Sequence, residues 1–498
     1  MINIGSRREC FFDDFLIDEE KTTAEKRLHK PVRRKVILEL DKAWEGKLCT
    51  FFTVLFAEGK WRMYYVCNHA NDKYVAYAES DDAQSWTRPD LGIVEHEGST
   101  RNNIILNVQM LKEFDFTGFD NMSVFYDENP KCPRDERYKM VAWWQGHASL
   151  ILLISADGIH FTRARFITDD GEFDSQNRAF WSTAHKKYFC YFRGEHEPDE
   201  SVSIIDRSYT DKTANALFDP EKFLLREPGD GTFSFMRDVR VMESEDFVNW
   251  SKQRRISATG ADFQLYNNVI FPYPRAPHIF IGFPLRYVER KAWTKSYDEL
   301  CGREDRLGRM KSMARLGLAV SDGLFMSSRD GYSFTKYDEA IFPPPPENPE
   351  AFVYGDGTAS AALIEVASDI PGADNEYMII IRESFRTARG YNKLVKYTSR
   401  LDGFVSLHAG ADVTETVTKE FVYNGENLYA NIATSARGSA YFTLRCGNEE
   451  YTSVEIFGNS TNKRIRFEDD EAVKHLSGKP VTLLIKMLDC DIYSIKFE

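Results

Sequence analysis

The sequence predicts an all-β protein in which a five-bladed β-propeller is followed by a small antiparallel β-sandwich. Three observations predict this fold: a turn motif recurs through the first 402 residues, strand-like runs flank each copy, and helical periodicity is almost absent. Aromatic residues make up 14% of the 498 residues. This enrichment also favours β-rich architecture, because large rings pack well on a pleated sheet.

The recurring turn has the form Ser-x-Asp-x-x-x-aromatic. Its aspartate can accept hydrogen bonds from backbone N–H groups one or two residues further on, which closes an Asx-type turn. We therefore expect each motif to join two strands and its aspartate (Asp82, Asp157, Asp246 or Asp330) to be structural. The four copies are Ser80–Trp86, Ser155–Phe161, Ser244–Trp250 and Ser328–Phe334, with a fainter fifth at Arg400–Phe404.

Each interval between motifs is long enough for four strands. An earlier strand pair precedes the turn, as in Phe51–Leu55 and Trp61–Tyr65, which a Glu-Gly-Lys turn separates. Four antiparallel strands per repeat, arranged radially, are typical of a propeller blade. Five such units reach residue 402, and the best helical candidate, Tyr297–Lys311, is a charged insert.

The last part of the chain reads differently. From Gly403 the turn repeat stops, and short runs of alternating apolar and polar residues follow at intervals of about ten residues. Such runs predict a small antiparallel sandwich. We therefore divide the chain into a propeller, residues 1–402, and a C-terminal sandwich, residues 403–498.

Composition excludes several classes of protein. The net charge of −13 argues against binding to nucleic acid or to an anionic membrane surface. No apolar stretch approaches the length of a membrane span, and the N-terminus lacks the apolar core of a secretory signal, so we expect a cytoplasmic protein. The eight cysteines are scattered without C-x-x-C spacing, so we predict buried free thiols and no zinc-ribbon or thioredoxin-type site. No residue is singled out as a metal ligand and no cofactor is predicted, but a metal ion in the channel stays open.

The innermost strands of a propeller converge on a central channel. In each predicted unit, an acidic or amide side chain precedes the first strand, and this pattern depends on the register of the repeat. Carboxylates gathered in one funnel suit glycoside chemistry, which needs a general acid and a second carboxylate as nucleophile or base. A third carboxylate nearby can raise the pKa of the acid. The predicted catalytic residues are Glu45, Asp120 and Asp174.

Other polar residues near the predicted strands are candidates for binding substrate. Amide, histidine and arginine side chains bind sugar hydroxyls, and an arginine in a strand run is costly to bury without a partner. Each such arginine is therefore a carboxylate partner or a substrate ligand. The candidates are Asn121, Gln176, Asn177, Arg193, Arg240, His278, Arg286 and Asp322, although a turn role for Asp322 and a structural role for His278 remain open.

Three phrases carry a resemblance to a known family: Phe173–Asn177 followed by Phe180–Trp181, Pro272–His278, and Arg400–Phe404. With the repeat and the trailing strands, they resemble the five-bladed propeller glycoside hydrolases, the levanase/invertase-type and arabinanase/xylosidase-type group. The resemblance implies a glycosidase acting on a short oligosaccharide or glycoside. The Asn-Asp-Pro-Asn-Gly, Arg-Asp-Pro and third-unit Glu-Cys sequences of well-known members are absent, so catalytic residues carry over by position only.

Two alternatives remain open on the residues alone. A glycoside phosphorylase of the same fold would use phosphate in place of water, bound by the arginine and histidine candidates. A non-catalytic carbohydrate-binding propeller would use the same acids to hold hydroxyl groups. The sequence leaves open the sugar, the linkage, the stereochemical outcome and the oligomeric state.

Overall fold

The computed structural model describes residues 1–69, 72–114, 118–144, 146–209, 234–290, 292–311, 315–387 and 390–498. Strands make up 52% of the chain and helices 7%, which confirms the predicted all-β class. Within the described residues, no helix has both the length and the apolar character needed to cross a membrane. The strands form a β-propeller arrangement and a further C-terminal sheet.

The chain starts with four strands that pair with strands much later in the sequence: β1 (Ile2–Gly5), β2 (Arg8–Cys10), β3 (Glu25–Leu28) and β4 (Val32–Glu39). Two antiparallel meanders follow. The first contains β5 (Thr50–Ala57), β6 (Lys60–His69), β7 (Asp72–Ser80) and β8 (Ile104–Asn107). The second contains β9 (Phe119–Tyr126), β10 (Tyr138–Trp144), β11 (Ser149–Ser155) and β12 (Thr162–Thr168).

The next two sheets have antiparallel main strands and extra short strands, one of which, β18, pairs parallel to β24. One contains β13 (Arg178–Ser182), β14 (Lys187–His196), β15 (Ser208–Tyr209), β16 (Ser234–Ser244) and β17 (Arg254–Arg255). The other contains β18 (Ser257–Ala258), β19 (Gln264–Leu265), β20 (Ile270–Tyr273), β21 (Ala276–Gly282), β22 (Leu285–Glu289), β23 (Ala319–Ser328) and β24 (Ser333–Phe342).

Helices are few and short. The predicted charged insert contains α1 (Lys295–Asp298) and α2 (Arg303–Met310), and α3 (Arg315–Leu318) follows it. Three 3₁₀ helices lie in loops: Val108–Phe114, Arg134–Glu136 and Ile204–Asp206.

The last sheet of the ring is built from both ends of the propeller sequence. Its later strands are β25 (Thr358–Ala359), β26 (Ile364–Val366), β27 (Glu376–Glu383) and β28 (Lys393–Arg400). Its outer strand is β4, which pairs antiparallel with β28 from Val32 opposite Thr398 to Glu39 opposite Lys393. This pairing joins the start of the propeller sequence to its end.

Apolar clusters between neighbouring sheets hold the ring together. Each of the meanders β5–β8 and β9–β12 packs on the next sheet along the chain, with rings such as Tyr64 and Tyr138 fully buried between the first two. Phe189 and Phe280 join the third sheet to the fourth, at a ring-centroid distance of 5.0 Å. Further clusters join the fourth sheet to the last, and the last back to the first. Burial on both faces explains the strands' apolar sequences.

The turn motif is confirmed in all four complete copies. The serine hydroxyl donates to the aspartate at 2.9–3.1 Å. The aspartate accepts the backbone N–H groups two and three residues on, at 2.7–2.9 Å. These groups lie one residue further along than we predicted, because the residue after each aspartate takes a positive φ. That conformation turns the following N–H groups back toward the carboxylate.

The C-terminal region forms one large antiparallel sheet around two long strands, and β31 (Phe421–Tyr423) lies outside it in a separate two-stranded sheet. The strands that this region gives to the large sheet are β29 (Val405–Ala409), β30 (Thr414–Val417), β32 (Leu428–Cys446), β33 (Glu449–Thr452), β34 (Asn459–Ile465) and β35 (Thr482–Phe497), and helix α4 (Ala472–Leu476) precedes β35. Both β32 and β35 contain register shifts and change partners along their length.

The N-terminal segment belongs with this C-terminal sheet. β2 pairs with β35, β3 pairs with β29, and β1 runs parallel to β31. The predicted division at residue 402 stays a prediction for the rest of the chain, but its propeller range 1–402 includes these strands, which pair outside the ring. The pattern of residues 1–28 gave no sign of partners some 400 residues away.

Asp402, in the faint fifth copy of the turn, connects the two regions. It is fully buried, takes a φ of 57°, and accepts a hydrogen bond from the Tyr273 hydroxyl at 2.6 Å. Arg8 and Ser494, from opposite ends of the chain, donate to its other oxygen at 3.3 and 2.7 Å. The fifth copy thus differs from the others: its carboxylate is shared between the ring and the C-terminal sheet.

We expect Asp402→Ala to destabilise the protein by about 3–5 kcal/mol, because it leaves the buried Arg8 guanidinium without its carboxylate. Chemical denaturation of the full chain measures this loss. The matched control is Asp412→Ala, since Asp412 is an exposed aspartate in the same region. Equal unfolding midpoints for the two variants would contradict the connecting role of Asp402.

Candidate active site

A cleft of about 140 Å³ lies where the starts of the five predicted units meet. Every unit contributes a residue at or just before its first strand. The cleft also receives side chains from the second and third strands of the first sheet and from the loop after β27. Its lining consists of Leu48, Thr50, Phe51, Val66, Asn68, Lys73, Asp120, Asn121, Asp174, Tyr266, Asn267, Tyr354, Gly355, Arg382, Phe385 and Arg386.

Asp120 enters the cleft from the start of β9. Its carboxylate forms an ion pair with Lys73 from β7 and accepts the backbone N–H of Asn121 at 2.8 Å. Asn121 takes a φ of 53°, a conformation that asparagine tolerates better than most residues. The side chain of Asp120 is 16% exposed, so its carboxylate is held in place and can still be reached from the cleft.

Asp174 enters from the loop before β13 and is the more accessible acid, with 60% of its side chain exposed. The Arg193 guanidinium donates to its backbone carbonyl at 3.1 Å and to its carboxylate at 3.3 Å. The Asn121 amide donates to the other carboxylate oxygen at 3.3 Å. Asn121 therefore contacts both acids, one through its backbone and the other through its side chain.

Gln176 and Asn177 lie below the acids and are buried. The Asn177 amide donates to the carbonyls of Asn121 and Phe173, both at 3.1 Å. The Gln176 amide donates to the Phe52 carbonyl of β5 at 3.3 Å. Both were predicted as substrate ligands, but their amide N–H groups bond to backbone carbonyls of neighbouring units, so they hold the first strands together instead.

Two tyrosines and two arginines form the opposite wall. The rings of Tyr266 and Tyr354 are 5.4 Å apart in a T-shaped arrangement. The Arg386 guanidinium lies 4.2 Å from the centre of the Tyr354 ring, and that of Arg382 lies 3.9 Å from the Phe385 ring. Flat aromatic faces and guanidinium groups are well suited to contact sugar rings and their polar substituents.

Sequence reasoning missed this wall. The repeat register did contain a signal for four of these residues, because they lie just before the first strands of the fourth and fifth units: Tyr266 and Asn267 before β20, and Tyr354 and Gly355 before β25. Arg386 follows a strand near the end of the ring sequence, and nothing in its local pattern indicates that it reaches the cleft.

Asp356 supports the loop after β27, which carries Arg386; Arg382 lies in β27 itself. Its buried carboxylate accepts the N–H groups of Phe385 at 2.7 Å and Ser384 at 3.0 Å. Burial raises the pKa of Asp356 to about 7, although these N–H groups and Arg382 oppose the shift. The role of Asp356 is to fix the backbone behind the cleft.

Glu45 is not brought to the cleft, which corrects its assignment as a catalytic residue. The side chain is fully buried. Its carboxylate accepts hydrogen bonds from Arg88 at 2.9 and 3.1 Å, from the Tyr65 hydroxyl at 2.7 Å and from the Lys42 N–H at 2.8 Å. Burial raises its pKa, while Arg88 opposes the shift. A carboxylate with this set of partners and no exposed surface cannot contact a substrate.

His278 and Arg240 are also engaged elsewhere. The His278 imidazole lies 3.2 Å from Glu9, where the N-terminal segment meets the fourth sheet. Arg240 donates to both oxygens of Asp238 at 2.6 and 2.9 Å, and to the Glu195 carbonyl. Neither residue lines the cleft, so both predictions of substrate contact are corrected to structural ion pairs.

Arg286 and Asp322 are partners of each other across β22 and β23. The guanidinium donates to the two carboxylate oxygens at 2.9 and 2.6 Å and to the Asp338 carbonyl at 3.0 Å. This is the carboxylate-partner alternative that the sequence left open. Neither side chain lines the cleft.

Among the described residues, no group of three or more histidine, cysteine, aspartate or glutamate side chains is arranged to hold a metal ion. The cleft therefore has acids, amides, aromatic rings and cations as its chemical groups.

The sequence matches no family model and no curated protein. Several solved structures match a large part of the chain at low sequence identity. An N-acetylgalactosamine deacetylase from F. plautii, in complex with blood group B trisaccharide, is 12% identical over 74% of this chain and 94% of its own, with a TM-score of 0.43. A glycosyl hydrolase from Bacteroides ovatus is 12% identical over 78% and 96%, with a TM-score of 0.37. A glycoside hydrolase family 43 arabinoxylan arabinofuranohydrolase from Bacillus subtilis, in complex with cellotetraose, is 10% identical over 91% and 80%, with a TM-score of 0.32.

The raised pKa of Asp356 predicts a pH dependence of stability. Between about pH 4 and pH 7 the folded protein holds a proton on Asp356 that the unfolded chain releases, so this group's contribution to stability falls as pH rises. The slope is at most about 1.4 kcal/mol per pH unit.

Unfolding free energies of wild type and Asp356→Asn, measured from pH 4.5 to pH 7.5, test this. We expect the variant to become more stable relative to wild type as pH rises, because asparagine does not titrate. A difference that stays constant across this range would contradict a raised pKa at Asp356. The exposed Asp470→Asn is the control and should show a constant difference.

Proposed function

We propose that this protein is a glycoside hydrolase that acts on a short oligosaccharide or glycoside through Asp120 and Asp174. The observation that carries the proposal is the meeting of these two acids in one cleft, joined by Asn121 and faced by tyrosine rings. Cleavage of a glycosidic bond needs two carboxyl groups, one to protonate the leaving oxygen and one to attack the sugar or activate water. Glu45 has no part in this proposal.

The surroundings of Asp120 and Asp174 fit these two different catalytic roles. Asp120, paired with Lys73, is held as a fixed negative charge, which fits a nucleophile, a base or a stabiliser of positive charge on the sugar. Asp174 is exposed and can approach a leaving group from the mouth of the cleft. We propose this assignment of roles to the two acids.

The proposal includes the finer features of the fold. We propose that the five sheets that start at β5, β9, β13, β20 and β25 are five blades, the last completed by β4. We also propose that the C-terminal sheet folds into a sandwich around its own apolar cluster, since β32 and β35 both change partners along their length. A small carbohydrate as substrate and a cytoplasmic location belong to the same proposal.

The test is a screen of wild type, Asp120→Asn and Asp174→Asn against aryl furanosides and pyranosides, with and without phosphate. We expect wild-type turnover on one sugar class, and a loss of at least about 100-fold in kcat in each variant, because each removes an acid or base step. The control, Asp470→Asn, should keep wild-type turnover.

Three outcomes would count against the proposal. Full activity of either catalytic variant would remove that acid from the mechanism. Turnover that requires phosphate would favour a phosphorylase. Tight sugar binding without turnover by any of the proteins would favour a non-catalytic carbohydrate-binding propeller.

A further inference from the structure

The charges in the cleft do not cancel. Lys73 pairs with Asp120, and Arg193 pairs with both Asp174 and Glu195. Arg382 and Arg386 also line the cleft, and in the described part of the chain neither makes an ion pair with a carboxylate. The buried Asp356 carboxylate interacts electrostatically with Arg382, so Arg386 is the cleft cation without a carboxylate partner among the described residues.

Arg386 has donor capacity that the protein leaves unused. One terminal nitrogen of its guanidinium is buried and has no hydrogen-bond partner among the described residues. The group is held between the rings of Tyr354 and Phe385, at 4.2 and 4.7 Å from their centres. A buried donor without a partner is unfavourable by itself. The Arg386 side chain also lines the cleft, where a ligand can supply acceptors to its guanidinium.

Arg382 adds a second positive charge close to that of Arg386. Its side chain is 3% exposed and donates only to neutral oxygens, including the Gly355 carbonyl and the Thr358 hydroxyl at 3.2 Å. Burial lowers the pKa of Arg382 to about 10, so it remains protonated at neutral pH. The Asp356 carboxylate opposes this shift, so the positive charge is fixed in position and partly balanced by that buried group.

The loop is built to hold Arg386 where it stands. Ser384 and Arg386 both take positive φ values, 63° and 59°, which are unfavourable for these residues. The hydrogen bonds that the N–H groups of Ser384 and Phe385 donate to the Asp356 carboxylate hold the backbone in this form. Strain that is retained beside a cleft points to a use for the side chain it presents.

The pKa of the Tyr354 hydroxyl reflects the electric field around Arg386. Burial raises the pKa of its hydroxyl, but the positive charge of Arg386, a hydrogen bond with Tyr266 and the charges of Arg237 and Arg315 together outweigh burial and bring the pKa below its usual range. The cleft therefore favours negative charge at the point where Tyr354 and Arg386 meet, and low-dielectric walls strengthen such a field.

We propose that Arg386, backed by Arg382, binds an anionic substituent of the saccharide, so that the preferred substrate is an acidic sugar such as a uronic acid. A planar carboxylate matches the fork of a guanidinium, and such pairs form short, charge-assisted hydrogen bonds. The inference rests on the proposed function, since it places the substituent beside the bond that Asp120 and Asp174 would cleave.

The test measures binding, which does not depend on turnover. Isothermal titration compares methyl glucuronide with methyl glucoside, and methyl galacturonide with methyl galactoside, on the full chain. We expect wild type and Asp174→Asn to bind at least one acidic glycoside tenfold or more tightly than its neutral partner. Arg386→Met should lose this preference. The matched control, Arg445→Met, removes an arginine half-exposed on the C-terminal sheet and should retain it.

Equal affinity of wild type for the acidic and neutral glycosides would overturn the inference. So would an Arg386→Met variant that keeps the preference. Inorganic phosphate and sulfate are titrated in parallel: if phosphate binds through Arg386 and the acidic glycosides do not, the site serves a free anion and the substituent proposal fails. An acidic preference without hydrolysis of any acidic glycoside would overturn the proposed function and leave this binding site standing.

Discussion

The pairing of β4 with β28 is the interaction on which the rest of the structure depends. These strands lie more than 350 residues apart in the sequence, and their hydrogen bonds complete the sheet that closes the ring. Only a closed ring brings the starts of all the first strands to one axis. Without this pairing, β28 would become an unprotected edge, and the segments that carry Asp120, Asp174 and Tyr354 would have no common cleft.

Closure explains why the two ends of the chain fold together. After β28 the chain leaves the ring at Asp402, the point at which the other units turn toward their fourth strand. The N-terminal segment reaches the same place, where Arg8 meets Asp402 and Glu9 meets Arg329 in the turn of the fourth sheet. Burial of Glu9 opposes ionisation, but its partners His278 and Arg329 outweigh that effect and lower its pKa to about 2. The C-terminal sheet therefore fixes both strands that close the ring.

The cleft combines fixed backbone with uncompensated charge. Below the acids, Asn177 and Gln176 use their amides to tie the first strands together, so Asn121 can hold both carboxylates in place. Opposite, the strained loop behind Arg386 presents a guanidinium that the protein does not neutralise. Both features cost stability locally, and the apolar clusters between the sheets offset that cost.

The sequence by itself determined what short-range chemistry controls. The Ser-x-Asp turns could be predicted because all their hydrogen bonds close within five residues, and Asp120 and Asp174 could be selected because the repeat register marks the first strands. The roles of the other candidate residues depended on the tertiary structure, because the fold determines which residue each charged side chain contacts. Glu45 matched the register as well as the other acids did, yet Arg88 and Tyr65 bury it. Arg286 forms an ion pair with Asp322, whereas Arg386 has no carboxylate partner within the described residues. The sequence identifies which side chains carry a charge, but whether that charge is neutralised depends on which distant residue the fold brings within about 4 Å of it.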